Sequence, residues 1–92
     1  MAYNLLVAYD LMKPGQAYEG IHKKIKSLGT WQQVQFSAFY LHTALNADEA
    51  YVQVRSVMDA NDRLLVVDIN RIVLSASNDV IAAMNRVWSL AA

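Results

Sequence analysis

The stretch Leu5-Leu6-Val7-Ala8-Tyr9-Asp10 is an apolar run that ends in a carboxylate. A continuous apolar run of this length predicts a strand buried on both faces. The turn or helix signal Lys13-Pro14-Gly15 follows almost at once. Because the carboxyl end of a central strand is well placed to meet a ligand, Asp10 is a candidate functional residue. The competing interpretation is that Asp10 only caps the strand or the next turn.

Helical and extended patterns alternate along the next sixty residues. Helix one is predicted from Pro14 to Leu28, because Pro suits a first helical position and Gly29 supplies a stop. Residues 31–43 are rich in aromatic and β-branched side chains, which predicts two antiparallel strands around a tight bend at residues 35–38. Helix two is predicted to begin at Asn46, which forms a capping box with Glu49. The face of this helix predicted to be buried comprises Ala47, Ala50, Val54, Val57 and Met58.

A last core strand is predicted at residues 63–69, which completes the order strand, helix, strand, strand, helix, strand. That order predicts an α+β, ferredoxin-like βαββαβ fold, with an antiparallel four-stranded sheet and both helices on one face. Ile72-Val73-Leu74 predicts a short fifth strand, and Ser77 is a good N-cap for a C-terminal helix. This helix is expected to pack on a sheet edge, on the open sheet face or on a partner subunit. Residues 1–92 are predicted to form one domain, with a core at 3–70 and a C-terminal extension at 71–92.

The composition restricts the classes of partner. The chain has 92 residues, of which 55% are hydrophobic and 17% charged, so a homodimer is the simplest way to cover the surplus apolar surface. Its formal net charge of zero excludes a general attraction to nucleic acid. The absence of cysteine excludes disulfides and cysteine-based metal sites. No signal-peptide pattern or membrane-length apolar run is present, which predicts a cytoplasmic protein that does not enter a membrane.

Three short motifs occur in a characteristic order. Ala8-Tyr9-Asp10-Leu11 closes strand one, Gly29 and Val34-Gln35-Phe36-Ser37-Ala38-Phe39 follow helix one, and Asp62-Arg63-Leu64-Leu65-Val66-Val67 forms the last core strand. Together they resemble the CRISPR-associated protein 2 family, and most closely its small stand-alone SinR-like, or Cas-two-like, branch. The resemblance covers residues 3–70, and the C-terminal helix matches the stand-alone branch.

This resemblance implies a ferredoxin-like homodimer, often with a C-terminal strand that crosses between subunits. In the family, the aspartate that closes strand one faces its symmetry mate, and the pair can hold a divalent cation, usually magnesium, used by nuclease-active members. Other members act as a platform for duplex DNA and a partner integrase. Asp10 is the position here that carries the catalytic and metal-binding role. Two carboxylates on a twofold axis can suffice for magnesium, because this ion usually keeps several waters.

The charge pattern departs from that of nucleic-acid-binding members, which tend to have an arginine-rich first helix. Lys13, Lys23 and Lys24 are the candidate nucleic-acid contacts, although lysines at these positions also suit a solvated helix face. The prediction is therefore weak binding of nucleic acid, if any. Ser37 is expected near Asp10 across paired strands, as the family motif suggests, and His22 is expected to be exposed.

The leading hypothesis is a homodimer with a nucleic-acid-associated or scaffolding role and weak or absent magnesium-dependent endonuclease (phosphodiesterase) activity. The alternative is a non-catalytic module that binds another protein through the sheet face or the C-terminal helix. A third interpretation is a toxin-like ribonuclease of the related VapD-like group.

Overall fold

The computed structural model describes residues 2–10, 18–71, 75 and 77–90. The elements in chain order are β1 (Tyr3–Asp10), α1 (Tyr18–Ser27), β2 (Thr30–Gln35), β3 (Ala38–Thr43), α2 (Ala47–Arg55), β4 (Arg63–Asp68) and α3 (Asn78–Leu90). The bend predicted inside residues 31–43 is confirmed. The predicted fifth strand at residues 72–74 and the predicted first turn of helix one at residues 14–17 lie outside the described residues.

The four strands form one antiparallel sheet in the order β2-β3-β1-β4. Strand β1 is therefore an inner strand, with β3 on one side and β4, an edge strand, on the other. Val7 at its centre lies opposite Phe39 of β3 and Val66 of β4. The architecture is α+β, with one antiparallel sheet and three helices among the described residues, and it is compatible with a small ferredoxin-like fold.

One face of the sheet is covered by α1 and α2, as the sequence predicts. Strand alternation turns Leu5, Val7 and Tyr9 of β1 to this face, where they are buried. The apolar residues Ile21 and Ile25 of α1 pack into the same core. Its other fully buried members are Phe39, Leu41, Ala50 and Val54.

Helix α2 begins with the predicted capping box. The backbone N–H of Glu49 donates to Oδ1 of Asn46 at 2.8 Å, and the backbone N–H of Asn46 donates to Oε1 of Glu49 at 2.9 Å. The predicted buried face is wrong at Val57, which is 44% exposed. The reason is that α2 ends at Arg55, so Val57 lies in the following turn and no longer follows the helical periodicity.

Among the described residues, the second face of the sheet is covered on the side of β2 and β3. Helix α3 packs over β2 and β3, where Met84, 1% exposed, contacts a cluster with Val34 and Tyr40. On the β1–β4 half of this face, Leu6 packs against the same cluster and Ala8 is half-buried, whereas Leu65 and Val67 are exposed. Ala8, Leu65 and Val67 are called the open sheet surface below. The prediction that β1 is buried on both faces is therefore too strong for its second face, where Leu6 and Ala8 are half-buried and Asp10 is exposed.

Candidate functional site

Asp10 lies at the carboxyl end of β1 and is exposed. Because side chains alternate along a strand, Tyr9 faces the helix-covered side and Asp10 faces the side of the open sheet surface. Asp10 is paired in the antiparallel ladder with Arg63, the first residue of β4. Directly opposed residues share a face, with Cβ atoms about 4.5–5.5 Å apart. The strand register therefore places an acidic and a basic residue opposite each other at one end of the open sheet surface.

The turn between β2 and β3 lies at the same end of the sheet. The backbone N–H of Tyr9 donates to the carbonyl oxygen of Ser37 at 3.1 Å. This bond holds the turn beside the last residues of β1 and supports the expected position of Ser37 near Asp10.

A shallow depression of about 270 Å³ surrounds the Asp10–Arg63 pair. Its floor is apolar and its two charged groups have opposite sign, so it suits a ligand or a surface that presents both charges at once. The lining residues are Ala8, Tyr9, Asp10, Arg63, Leu64 and Leu65.

The lysines proposed to contact nucleic acid lie in a different layer. Lys23 is exposed and Lys24 half-buried on α1, which covers the sheet face opposite to the one that carries Asp10. Lys23 and Lys24 also line a depression of about 270 Å³ with Gly20, Ser27 and Val57. Lys13 lies outside the described residues. The described structure thus separates Lys23 and Lys24 from Asp10 by the thickness of the sheet.

The oxygen donors near Asp10 are few for a magnesium site. Asp68 pairs with Leu5, at the opposite end of β4, so it does not join Asp10. In the described ranges, no three His, Asp or Glu side chains come close enough to share a metal ion. Magnesium prefers several oxygen donors, whereas Asp10 supplies one carboxylate with a cation opposite it. A magnesium ion beside Asp10 would therefore need further oxygen ligands, from water or from a second copy.

Arg63 is the site residue that sequence reasoning missed. Its position became informative only once β1 and β4 were paired, because the last residue of one antiparallel strand then meets the first residue of the other. The sequence shows only an arginine that opens the last core strand and an aspartate that closes the first, without their register.

A second polar contact lies on the covered face of the sheet. The hydroxyl of Tyr9 is hydrogen-bonded to Nε2 of His22, whose ring packs against Phe39 at 5.1 Å between centroids. His22 is half-buried, so the expectation that it is exposed is wrong: its position on α1 turns it toward β1. Burial, with the positive charge of Lys26 as a smaller cause, lowers the pKa of His22 below its ordinary value of 6.5.

Comparisons with protein-family models, with curated proteins and with solved structures returned no match to this chain. Among the described residues, no helix combines the length and the apolar character that a bilayer crossing requires.

Proposed function

We propose that this chain forms a cytoplasmic, ferredoxin-like homodimer of the CRISPR-associated protein 2 kind, with a scaffolding or nucleic-acid-associated role and weak or absent metal-dependent nuclease activity. The observation that carries the proposal is that Asp10 lies on the same uncovered half-face as the exposed apolar residues Leu65 and Val67. The proposed twofold axis lies at the Asp10 end of this half-face, where it would bring the two Asp10 residues toward each other.

The open sheet surface supports a second copy as the partner. Leu65 is 56% and Val67 36% exposed, both on an edge strand, and such surfaces tend to become covered by another chain. A twofold interface requires a patch that is complementary to itself. The patch here meets that condition, since its apolar strip ends in one acidic and one basic side chain, Asp10 and Arg63.

The potential metal ligands at the site fit a scaffolding role better than they fit metal-dependent catalysis. Asp10 is one carboxylate per chain, and its strand neighbour is a cation rather than a further metal ligand. Lys23 and Lys24, on the outer helical layer, stay accessible when the opposite face packs against a second copy. Because these lysines are few and the net charge is zero, the expected binding to nucleic acid is weak.

The alternative function is a module that binds a different protein through the same open sheet surface. This interpretation is favoured by the apolar character of the surface, where Ala8, Leu65 and Val67 lie together. It predicts a monomer in isolation, so the oligomeric state of the purified chain separates the two functions.

The test of the dimer is sedimentation equilibrium at micromolar concentration. Wild type and Val52→Lys are expected to be dimers, and Leu65→Lys a folded monomer by circular dichroism. Val52 is the matched control, because it is an apolar residue 63% exposed on α2, away from the open sheet surface. A monomeric wild type would contradict the homodimer and favour the alternative function.

The test of the activity is incubation with a panel of RNA and DNA substrates, with magnesium or with a chelator. Wild type and Asp10→Asn are expected to behave alike, with little or no cleavage. Magnesium-dependent cleavage by wild type that Asp10→Asn loses would overturn the non-catalytic role and assign Asp10 to catalysis.

A further inference from the structure

We propose that a depression along α1, on the flank that faces the edge strand β2, binds the phosphate group of a small phosphorylated molecule of nucleotide size. Its lining residues are Glu19, His22, Lys23 and Lys26. The depression lies in the helical layer, on the sheet face opposite to Asp10. The proposal therefore depends neither on the homodimer nor on the binding of a duplex.

The size of this depression suits a small ligand. Its volume is about 480 Å³, within the ordinary range of ligand sites, roughly 300–1,000 Å³. The depression around Asp10 and the one beside Lys24 are smaller, at about 270 Å³ each. The site on α1 thus has room for an organic group as well as a phosphate.

Helical spacing places two lysines on the same side of the ligand. Residues three and four positions apart are neighbours on a helix surface, and the lining residues of α1 follow that spacing. Lys23 and Lys26 therefore lie one above the other. Lys24 is on the other flank of the helix, where it lines the smaller depression with Ser27 and Val57.

Lys26 is held at the site by an aromatic ring. Its Nζ lies 4.4 Å from the centroid of the Trp31 ring on β2, a distance at which a cation is attracted to the face of the indole. Trp31 in turn packs against Phe39 of the core, with 5.9 Å between ring centroids. Because Lys26 is already ordered, less conformational entropy is lost when a ligand binds to it.

His22 forms a fixed wall of the depression. Its Nε2 is hydrogen-bonded to the hydroxyl of Tyr9, and its ring packs against Phe39. Burial, followed by the positive charge of Lys26, lowers the pKa of His22, which keeps the ring neutral at neutral pH. The imidazole therefore shapes the site without adding charge to it.

The charge of the lining selects an anion. The ammonium groups of Lys23 and Lys26 outnumber the single carboxylate of Glu19, which leaves one net positive charge. Lysine binds phosphate as a point charge. A phosphate monoester carries about −1.5 to −2 charges at neutral pH, so it is attracted more strongly than a carboxylate.

The experiment is an NMR titration of the isotope-labelled chain with AMP, inorganic phosphate and adenosine, at a physiological salt concentration of about 0.15 M. AMP and phosphate are expected to shift the backbone amide signals of α1 and the indole N–H signal of Trp31, because Lys26 lies over that ring. Adenosine, which has no phosphate group, should shift neither.

Four variants locate the site. Lys23→Gln and Lys26→Gln should each weaken AMP binding about tenfold, since each loses a charged hydrogen-bond donor. Lys24→Gln is the matched control and should bind as wild type does. Glu19→Gln should bind AMP about two- to threefold more tightly, because a carboxylate near the phosphate is removed.

A thymidine oligomer with or without a terminal phosphate separates two sources of the phosphate group. Stronger binding of AMP than of both oligomers would assign the site to a free nucleotide. Stronger binding of the oligomer that has the terminal phosphate would assign it to the end of a nucleic-acid strand.

The proposal would be overturned by equal shifts from AMP and adenosine, or by Lys23→Gln and Lys26→Gln variants that bind AMP as tightly as Lys24→Gln does. Circular dichroism checks that each variant is folded, and exposed Lys23 keeps the test valid if Lys26→Gln loses its contact with β2 and unfolds. A failure here leaves the homodimer unaffected, because these measurements do not depend on the oligomeric state.

Discussion

The hydroxyl of Tyr9 on β1 is hydrogen-bonded to Nε2 of His22 on α1, and this contact joins the central part of the sheet to the helix that covers it. Tyr9 is buried and His22 half-buried, and the ring of Phe39 packs edge-on against the imidazole. The next residue of the strand, Asp10, faces the opposite side of the sheet. In β1, Tyr9 therefore packs in the core on one face, and the adjacent Asp10 lies at the candidate interface on the other.

The contact between Tyr9 and His22 predicts a pH-dependent stability. The pKa of His22 is lowered in the folded state, first by burial and then by Lys26, so the unfolded chain binds a proton more readily. Stability should be fully present above pH 6.5 and fall as the pH drops from there through the folded pKa. Thermal melts at pH 7.5 and 5.5 should show a lower melting temperature in acid, by a modest amount because His22 is partly solvated.

The variant His22→Gln should reduce this acid sensitivity, because glutamine keeps a polar group near Tyr9 without a titrating imidazole. His42→Gln is the control, because it removes an imidazole and leaves the Tyr9–His22 contact intact. The same fall in melting temperature for wild type and His22→Gln would show that His22 does not cause the pH dependence.

Gly29 is predicted to be intolerant of a side chain. A Cβ atom at this position would overlap the backbone carbonyl of His42 and lie 3.1 Å from Cα of Thr43, so the start of β2 or the end of β3 would have to move. Gly29→Ala should therefore lower the free energy of unfolding by about 1–3 kcal/mol.

Gly20→Ala is the matched control and should change the free energy of unfolding in the opposite direction. Gly20 lies inside α1 with no neighbouring atom within 4 Å of an added Cβ. Alanine there should raise the free energy of unfolding by about 1 kcal/mol, because glycine costs a helix interior roughly that amount. Denaturation curves in urea measure both changes, and an unchanged midpoint for Gly29→Ala would refute the close packing at this glycine.

The docking of α3 should depend on Met84. This side chain is 1% exposed against Val34 and Tyr40, so Met84→Ala should cost about 2–5 kcal/mol of stability. Asn85→Ala, at the exposed next position of the same helix, should change stability by less than about 0.5 kcal/mol. Equal denaturation midpoints for the two variants would mean that α3 does not contribute to the folded core.

Nucleic-acid binding, where it occurs, should be weak and should show a shallow dependence on salt. About three phosphate contacts per subunit would give a slope near three units in a plot of log affinity against log salt concentration. Lys23→Ala with Lys24→Ala should lower affinity for duplexes of any sequence and reduce that slope by about two. Tight binding at physiological salt that is unaltered in this double variant would contradict the assignment of Lys23 and Lys24 as phosphate contacts.

Much of the sheet face that α1 and α2 cover could be predicted from the sequence. The spacing of Ile21 and Ile25 predicts the buried stripe of α1, and the pairing of Asn46 with Glu49 predicts the start of α2. These features are local: they depend on helical periodicity and on hydrogen bonds that span three residues. The prediction failed at Val57, because no local signal marked the end of α2 at Arg55.

The residues of the candidate site could likewise be predicted only in part from the sequence. Asp10 stands out by itself, as a carboxylate that ends an apolar strand. Arg63 and His22 could not be assigned from the sequence, because their neighbours, Asp10 and Tyr9, are distant along the chain. Strand register and the packing angle of a helix decide such contacts, and neither has a local signature.

From the sequence alone came the α+β class, the α1–α2 core and the position of Asp10 at the end of an apolar strand, because periodicity, caps and turn residues act over a few positions. Only the tertiary structure decided that α3 covers β2 and β3 while Leu65 and Val67 of β4 stay exposed. Only the pairing of β1 with β4 decided that Asp10 meets Arg63. The physical reason is that these arrangements result from contacts between segments far apart in the chain, whose relative positions depend on the packing of the whole sheet.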